Sequence, residues 1–554
     1  EASMFRTYDQ NQPFLLPPNL HDFVDEGHPG HLVNDLVEQL DLTALEGYYG
    51  NLGQPAYHPR LMLKVILYGF SVGIFSARKL ERACHENLAF KYLAGMETPA
   101  FRTFIEFRHR HREDMKAVFV QTVHLARALG LARLGTVALD GSKVEANTSK
   151  HKAMSYGHML KEEKRLKAEI EKLLQTAEAT DEHEDRAYGP QADGYHVGAE
   201  LSRREHRLKK LAEAKAALEA REKWEHPDEP IDPKKQISFA DHDARCFSKP
   251  GDGTRYVYNA QAAVDMDSQV IVANHIEDSV SDAHAAEPAL ENMEQELDQV
   301  PGALVTDAGY GNQNTLESCR KRGVTPVCAT AREGKDDRET GKLDRFSYDR
   351  DQDRFVCPHG HAFVFTHEHP PSGIRTYKTT EPVPCTCGHR ETADGREVIS
   401  VGPGHLAKRA LQRILDEPGH RELYRRRKCT VEPAFGQIKA EMGFRRFLYR
   451  GRRNVGSEWN LVCAAFNVKK IAALLSTQRY PANPQQAAGD EGASRYVSKL
   501  RPSAEGLRPL IFLFFSGLVA RFTRSIRPRP STRSHYWYTL FEPPMTDITI
   551  CSGS

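Results

Sequence analysis

Apolar positions in the first part of the chain recur at helical spacing. Val33, Leu36, Val37 and Leu40 mark one stripe, and Pro59 opens a denser apolar helix over 61–70. Ser76 is placed to cap a helix over 77–86, and Thr98-Pro99 to start another. A series of short helices with tight turns over about 1–130 predicts an all-helical domain suited to DNA binding or dimerisation. Within it, 101–112 carries a cationic face that fits phosphate contact or an ordinary solvated amphipathic helix.

The pattern then changes to short apolar runs. Residues 136–139 end at Asp140-Gly141 and read as a buried strand delivering a carboxylate to a sheet edge. The runs 256–264 and 269–274 flank Asp265-Met266-Asp267-Ser268, which predicts a β-hairpin with Asp265 and Asp267 in its turn. A helix over about 283–296 leads to 303–306, which again ends in Asp (Asp307), a small residue and Gly309. A helix to Arg322 and a strand over 325–329 follow. Adjacent strands of one sheet would bring Asp140 and Asp307 together. Two charged helical stretches, 159–174 and 201–224, read as an antiparallel arm inserted after the first strand, with acid–base pairs at helical spacing.

These elements predict an α/β (mixed) fold. The expected domains are 1–130 (helical), 131–157 with 237–330 and 411–478 (mixed sheet with helices), 158–236 (inserted helical hairpin) and 331–410 (inserted β-rich segment). Residues 459–475 read as an apolar packing helix. Residues 479–554 read as a linker, a short apolar helix near 510–520 and an Arg/Pro/Ser-rich disordered stretch.

Length and charge narrow the picture. At 554 residues the chain exceeds one core, and about three or four units are expected. The net charge of +1 says nothing about nucleic acid, so only local clusters can. Ten scattered cysteines read as mostly reduced thiols. With no signal peptide and no apolar run near the roughly 20 residues that span a bilayer, a soluble, cytoplasmic protein is expected.

The strongest local cluster lies between Arg421 and Arg453, where bases far outnumber Glu422, Glu432 and Glu441. Pro433 fits the first turn of a helix, with Glu432 beside its start and Lys439 two turns on, on roughly the same face. A lone acid among cations suits a divalent metal held beside a polyanion, or a salt-bridged Glu on an Arg-rich surface helix. Downstream, 444–453 is basic with interleaved aromatics, as backbone binding would require.

Taken in order, the motifs around Asp140 (137–143), 258–265, Asp307 (306–310) and Glu432 (431–439) resemble those of a bacterial insertion-sequence transposase of the DDE class. The resemblance spans about 15–475. It implies a ribonuclease H-like domain in which Asp140, Asp307 and Glu432 are catalytic and hold two Mg2+ (or Mn2+) ions. It further implies a protein that binds terminal inverted repeats and target DNA, as a homodimer in the DNA complex, with Lys439, Arg427, Lys428, Arg445 and Arg446 on the DNA. One departure stands out. Glu432 and Lys439 keep the family's spacing, but Tyr424 and Arg427 lie one residue too far from Glu432, and Lys428 occupies the Arg position. The alternative is a DNA-binding protein of the same ancestry without catalysis.

Between the second Asp and Glu432, the clusters 357–361 and 385–389 offer Cys and His at short spacing. They make a candidate zinc site of Cys357, Cys385, Cys387 and either His389 or His361, or else a turn-rich β insert with free thiols.

Overall fold

In a computed structural model of the chain, the described residues are 19–479 apart from 26, 51–54, 150–151, 189–196, 226, 228, 250, 252, 331–342, 344, 350, 371–372, 383–386 and 388–389. The linker, apolar helix and tail expected beyond 479 lie outside them.

The chain begins with helices α1 (Pro29–Glu38), α2 (Thr43–Glu46), α3 (Pro59–Ser71), α4 (Ala77–Glu86), α5 (Leu88–Leu93), α6 (Phe101–Arg110) and α7 (Met115–Ala128). Pro29 and Pro59 open α1 and α3. In each case Nδ1 of the preceding histidine, His28 or His58, accepts a backbone N–H, from Gly30 or Arg60. Ser76 precedes α4 in extended conformation, but its side chain makes no capping hydrogen bond. Asn87 caps α5 instead.

The main sheet comprises β1 (Thr136–Glu145), β4 (Arg245–Lys249), β5 (Gly253–Asp265), β6 (Ile271–Glu277), β7 (Ala303–Thr306) and β8 (Thr325–Cys328). Its order is β4-β5-β1-β7-β8, with β6 also on β5. Strands β1, β7 and β8 are parallel, whereas β4, β5 and β6 pair antiparallel. The fold is therefore mixed α/β around a mixed sheet. Asp265 forms the hairpin turn as expected: its carboxylate accepts from the backbones of Asp267 and Ser268 and, across the sheet, from Leu134.

A two-stranded ladder of β2 (Ala153–Ser155) and β3 (Gln236–Ser238) sits at the base of the charged arm, α8 (Tyr156–Tyr188) and α9 (Val197–Glu225). Ion pairs Arg207–Glu162, Arg204–Glu169 and Lys215–Glu163 cross between the two helices. A small core of its own, including Met159, Leu166, Leu211 and Leu218, closes the seam.

After β6 come α10 (Ala286–Leu297) and α11 (Gln313–Lys321). An antiparallel sheet of β9 (Ser347–Asp349), β10 (Arg354–Val356), β11 (Ala362–His369), β12 (Ile374–Thr379), β13 (Arg390–Glu391) and β14 (Glu397–Val401) follows, around a separate small core. The chain returns through α12 (Pro403–Asp416), α13 (His420–Lys428), α14 (Val431–Gly436) and α15 (Arg452–Arg479).

One continuous core runs from Val33 in α1 through the main sheet to Ile471 in α15. Helix α15 pins it. Trp459 is fully buried and donates its indole N–H to Gln261 O at 2.9 Å. Asn467 bonds both backbone groups of Ile271 and the hydroxyl of Thr122. The N-terminal helices are thus fused to the sheet by shared burial. Helix α6 shows the consequence for its cationic face. Arg108 is buried, bonds the carbonyls of Phe104 and Phe75, and lies over the rings of Phe70 and Tyr449. It is committed to packing.

Candidate active site

Strands β1 and β7 pair in the register Thr136↔Ala303, Val137↔Leu304, Ala138↔Val305. Continued by two residues, that register sets Asp140 opposite Asp307. Neighbouring strands lie about 4.8 Å apart, so the two carboxylates emerge at one place from strands far apart in sequence.

Strand β1 does not end at Asp140, as its Asp-Gly suggested. Its pairing with β7 stops at Ala138, but β5 continues to pair with it from Asp140↔Ala262 to Glu145↔Val257. Asp140 is a mid-strand residue. Gly141 is there for room: a Cβ would lie 2.2 Å from Gln261 Nε2, 2.6 Å from Asp282 Oδ1 and 2.8 Å from Asn259 Oδ1.

Asp140 accepts the Gly141 N–H at 2.8 Å and receives Arg427 Nη1 on its other oxygen at 3.0 Å. Burial pushes its carboxyl up to about 6. The Gly141 N–H and Arg427 pull down, and the negative charges of Asp307 and Asp282 push further up. Asp307 caps a short 3-10 turn, Ala308–Tyr310, by accepting the Gly309 N–H at 2.8 Å. Tyr310 is buried and donates to Gln261 Oε1 at 2.5 Å. Its phenol is raised well above its ordinary value by burial, then by the charges of Asp282, Asp140 and Asp307. Three carboxylates therefore lie within electrostatic reach of one another.

Asp282 is the member that sequence reasoning missed. It lies in the polar loop between β6 and α10, where nothing in the local pattern separates it from a turn residue. In the fold it accepts from Lys143 Nζ (2.9 and 3.0 Å), Asn259 Nδ2 (2.8 Å) and Gln261 Nε2 (2.7 Å). Directly paired residues of an antiparallel ladder share a face, so Gly141, Lys143, Asn259 and Gln261 lie on one side of the sheet and Asp140 on the other. Asp282 thus braces β1 and β5 from behind, reaching over the bare Gly141, while Arg427 and Asp140 meet in front.

Glu432 stands in the first turn of α14, which packs against β1 and β5. It is exposed, and among the described residues no hydrogen bond or ion pair ties it to Asp140 or Asp307. The structure brings together Asp140 and Asp307, and places Glu432 on an adjoining helix. The helix expected to run from Glu432 through Lys439 is interrupted: α14 ends at Gly436 and passes into a π turn, Gln437–Glu441. The wider turn shifts the phase of Lys439 relative to Glu432. The Lys439 ammonium is pulled below its ordinary value by burial and by the nearby charges of Arg255 and Lys143. Of the two bases competing for the Arg position, Arg427 is buried against Asp140 and Lys428 is exposed.

Two family models match the chain: a transposase domain (DUF772) over residues 18–110 and a transposase DDE domain over residues 234–468. The chain belongs to the DDE-class transposases. The search of curated proteins returned no match. Asp282, Asp307, Glu432 and Lys439 of the transposase fall inside the matched DDE range and Asp140 outside it, so the grouping of Asp140 with Asp307 stands on the strand register.

The basic segment after the π turn runs alongside the end of β1. Glu145 pairs with Arg446 both by an isolated bridge and by an ion pair at 3.0 Å. Arg445 is exposed and contacts Lys439 O. The interleaved aromatics are not a stacking platform, because Phe444 and Phe447 are buried and pack around Trp459.

In the second sheet, Cys357, His359 and Cys387 offer ligand atoms within 4.8 Å of one another. His359 was not among the expected ligands. Cys385 and His389 lie outside the described residues, and His361 Nδ1 is 3.6 Å from Cys357 Sγ. No helix among the described residues is long and apolar enough to cross a membrane.

Proposed function

We propose that this transposase binds double-stranded DNA at the terminal inverted repeats of its element, acting as a homodimer on the DNA, and catalyses metal-dependent strand cleavage followed by strand transfer into target DNA. One observation carries the reading: Asp140 and Asp307 lie within electrostatic reach of each other, just beyond the last paired residues of the parallel strands β1 and β7. The mixed sheet, with β1 between antiparallel β5 and parallel β7, supports a ribonuclease H-like assignment.

The residues fit a hard divalent cation. The donors are carboxylate oxygens, and burial, to which the charges of Asp307 and Asp282 add, disfavours an uncompensated charge on Asp140, which a bound cation would offset. Asp140, Asp307 and Glu432 would hold a pair of Mg2+ or Mn2+ ions, which when bound activate the attacking oxygen and stabilise the leaving one. Arg427 neutralises Asp140 and, once displaced from it, is placed to clamp a phosphate with its planar fork. Lys439, whose ammonium burial and the nearby charges of Arg255 and Lys143 disfavour, would be relieved by a phosphate beside it. Lys428, Arg445 and Arg446 would supply backbone contacts, which fix position without reading sequence.

The test is Mg2+-dependent nicking of a duplex carrying the element's ends, read beside a binding assay. Asp140→Asn should bind the ends as the wild type does and cut none of them. An Asp140→Asn protein that nicks at the wild-type rate would overturn the assignment.

A further inference from the structure

The second sheet carries a Cys/His cluster that the cleavage chemistry does not use. We infer that it is a structural zinc site whose ligands are Cys357, His359 and Cys387, with His361 as the fourth donor.

The residues come from two places. Cys357, His359 and His361 lie in the tight connection from β10 to β11. Two backbone bonds close it, Cys357 N–H to His361 O and Gly360 N–H to Cys357 O, both at 2.9 Å. Gly360, at φ 89°, supplies the left-handed conformation that the turn needs. The result is a knuckle that presents a thiol and two imidazoles from one short loop. Cys387 comes from the connection between β12 and β13 and packs against the same small core.

The spacing suits tetrahedral zinc. With Zn–S near 2.3 Å and Zn–N near 2.1 Å, ligand sulfur and nitrogen atoms lie about 3.6 Å apart. Cys357 Sγ and His361 Nδ1 are 3.6 Å apart. His359 Nδ1 and Cys387 Sγ are 3.0 Å apart, a hydrogen-bonded approach that opens slightly when an ion enters. Cys357, His359 and Cys387 all lie within 4.8 Å of one another. Soft sulfur with imidazole selects zinc over the hard Mg2+ that oxygen donors take. Binding converts two thiols to thiolates and releases two protons to solvent.

The need for such a staple is visible in the packing. Among the described residues, the sheet β9–β14 is built around a handful of buried side chains, including Phe355, Phe363, Tyr377 and Ile399. A unit with so small a core gains from a cross-link, and a metal joining the knuckle to the 380–390 connection closes the sheet at that end.

The experiment uses the full chain, purified after growth with added zinc and dialysed against excess Mg2+. Metal analysis should find about one zinc per chain. That zinc should be lost in Cys357→Ser and in Cys387→Ser, weakened in His361→Ala, and retained in Asp140→Asn and Cys429→Ser. Cobalt exchanged into the wild-type chain should give thiolate charge-transfer and tetrahedral ligand-field bands, a readout that does not depend on the variants folding. A wild-type chain without stoichiometric zinc and without those cobalt bands would overturn the inference, as would zinc unchanged by both Cys substitutions. Loss of zinc in Asp140→Asn would place the metal at the acid cluster instead and equally overturn it. Retained zinc with no DNA cleavage leaves this inference standing while the catalytic reading fails.

Discussion

Replacing Arg427 with Gln tests how the acid cluster is held together when no metal is bound. The Arg427–Asp140 pair is nearly buried, with the two side chains 9% and 20% exposed. Removing one partner of a buried pair usually costs about 3–5 kcal/mol. Here the cost is capped, because Asp140 already has its carboxyl at about 6 and can escape by taking a proton. At about pH 7.5 that escape costs about 2 kcal/mol, at 1.36 kcal/mol per unit. Arg427→Gln should therefore lose at most about 2 kcal/mol at about pH 7.5 and less than about 0.5 kcal/mol near pH 6, where the wild-type carboxyl is itself half protonated. In an Asp140→Asn background the same substitution should cost little, which removes the contribution of altered packing. Mg2+ should raise the melting temperature of Arg427→Gln more than that of the wild type, since the cation no longer displaces a bound guanidinium. Thermal and urea unfolding at the two pH values, with and without Mg2+, measure all of this. A penalty that is equal at both pH values and unchanged in the Asp140→Asn background would refute the reasoning.

Gly141→Ala should destabilise by about 1–3 kcal/mol through overpacking against Asp282, Gln261 and Asn259, and should depress cleavage; urea unfolding and nicking assays check it. Asp282→Asn places an amide among the donors of Lys143, Asn259 and Gln261 and should cost about 1.5–3 kcal/mol, again read by unfolding. Glu458 is buried, accepts the backbone N–H groups of Leu448 and Tyr449, and has its carboxyl pushed by burial to about 7. Because its folded value exceeds its unfolded one, the wild type should lose about 3 kcal/mol relative to Glu458→Gln as pH rises from about 4.5 through 7. A difference that stays flat over that range would exclude the effect. Glu432→Gln should abolish Mg2+-dependent nicking and leave end binding intact in a mobility-shift assay.

The mixed sheet was legible because its strands are short apolar runs punctuated by Asp and Gly, and because β5 and β6 flank an Asp-rich turn. Helices α1, α3 and α4 were legible from apolar spacing and from prolines at helix starts. The errors share a cause, namely that a local signal has more than one physical origin. Asp140-Gly141 looked like the end of a strand, yet the glycine answers to Asp282, a residue distant in sequence. Phe444 and Phe447 looked like interleaved aromatics for nucleic acid and belong to the packing around Trp459. Arg108 looked like part of a phosphate-binding face and is sealed between the rings of Phe70 and Tyr449. Asp282 itself was invisible, because its importance comes from three donors on two strands, none near it in the chain.

The arrangement around Asp282 also explains why the 258–265 motif accompanies the acids at all. Asn259 and Gln261 alternate on β5 toward the same face, and each donates to Asp282, while Gln261 also accepts from Tyr310. Tyr310 ends the turn that Asp307 caps. The backbone carbonyl of Gln261 receives Trp459, so this one glutamine joins the turn carrying Asp307, the brace behind β1 and the helix pinning the core. A change at Gln261 should therefore lower stability and displace Asp307 together, whereas a change at Glu432, exposed on its own short helix, should touch cleavage alone. That separation follows from burial: a polar group held at the centre of a closed network cannot be altered without leaving its partners unsatisfied.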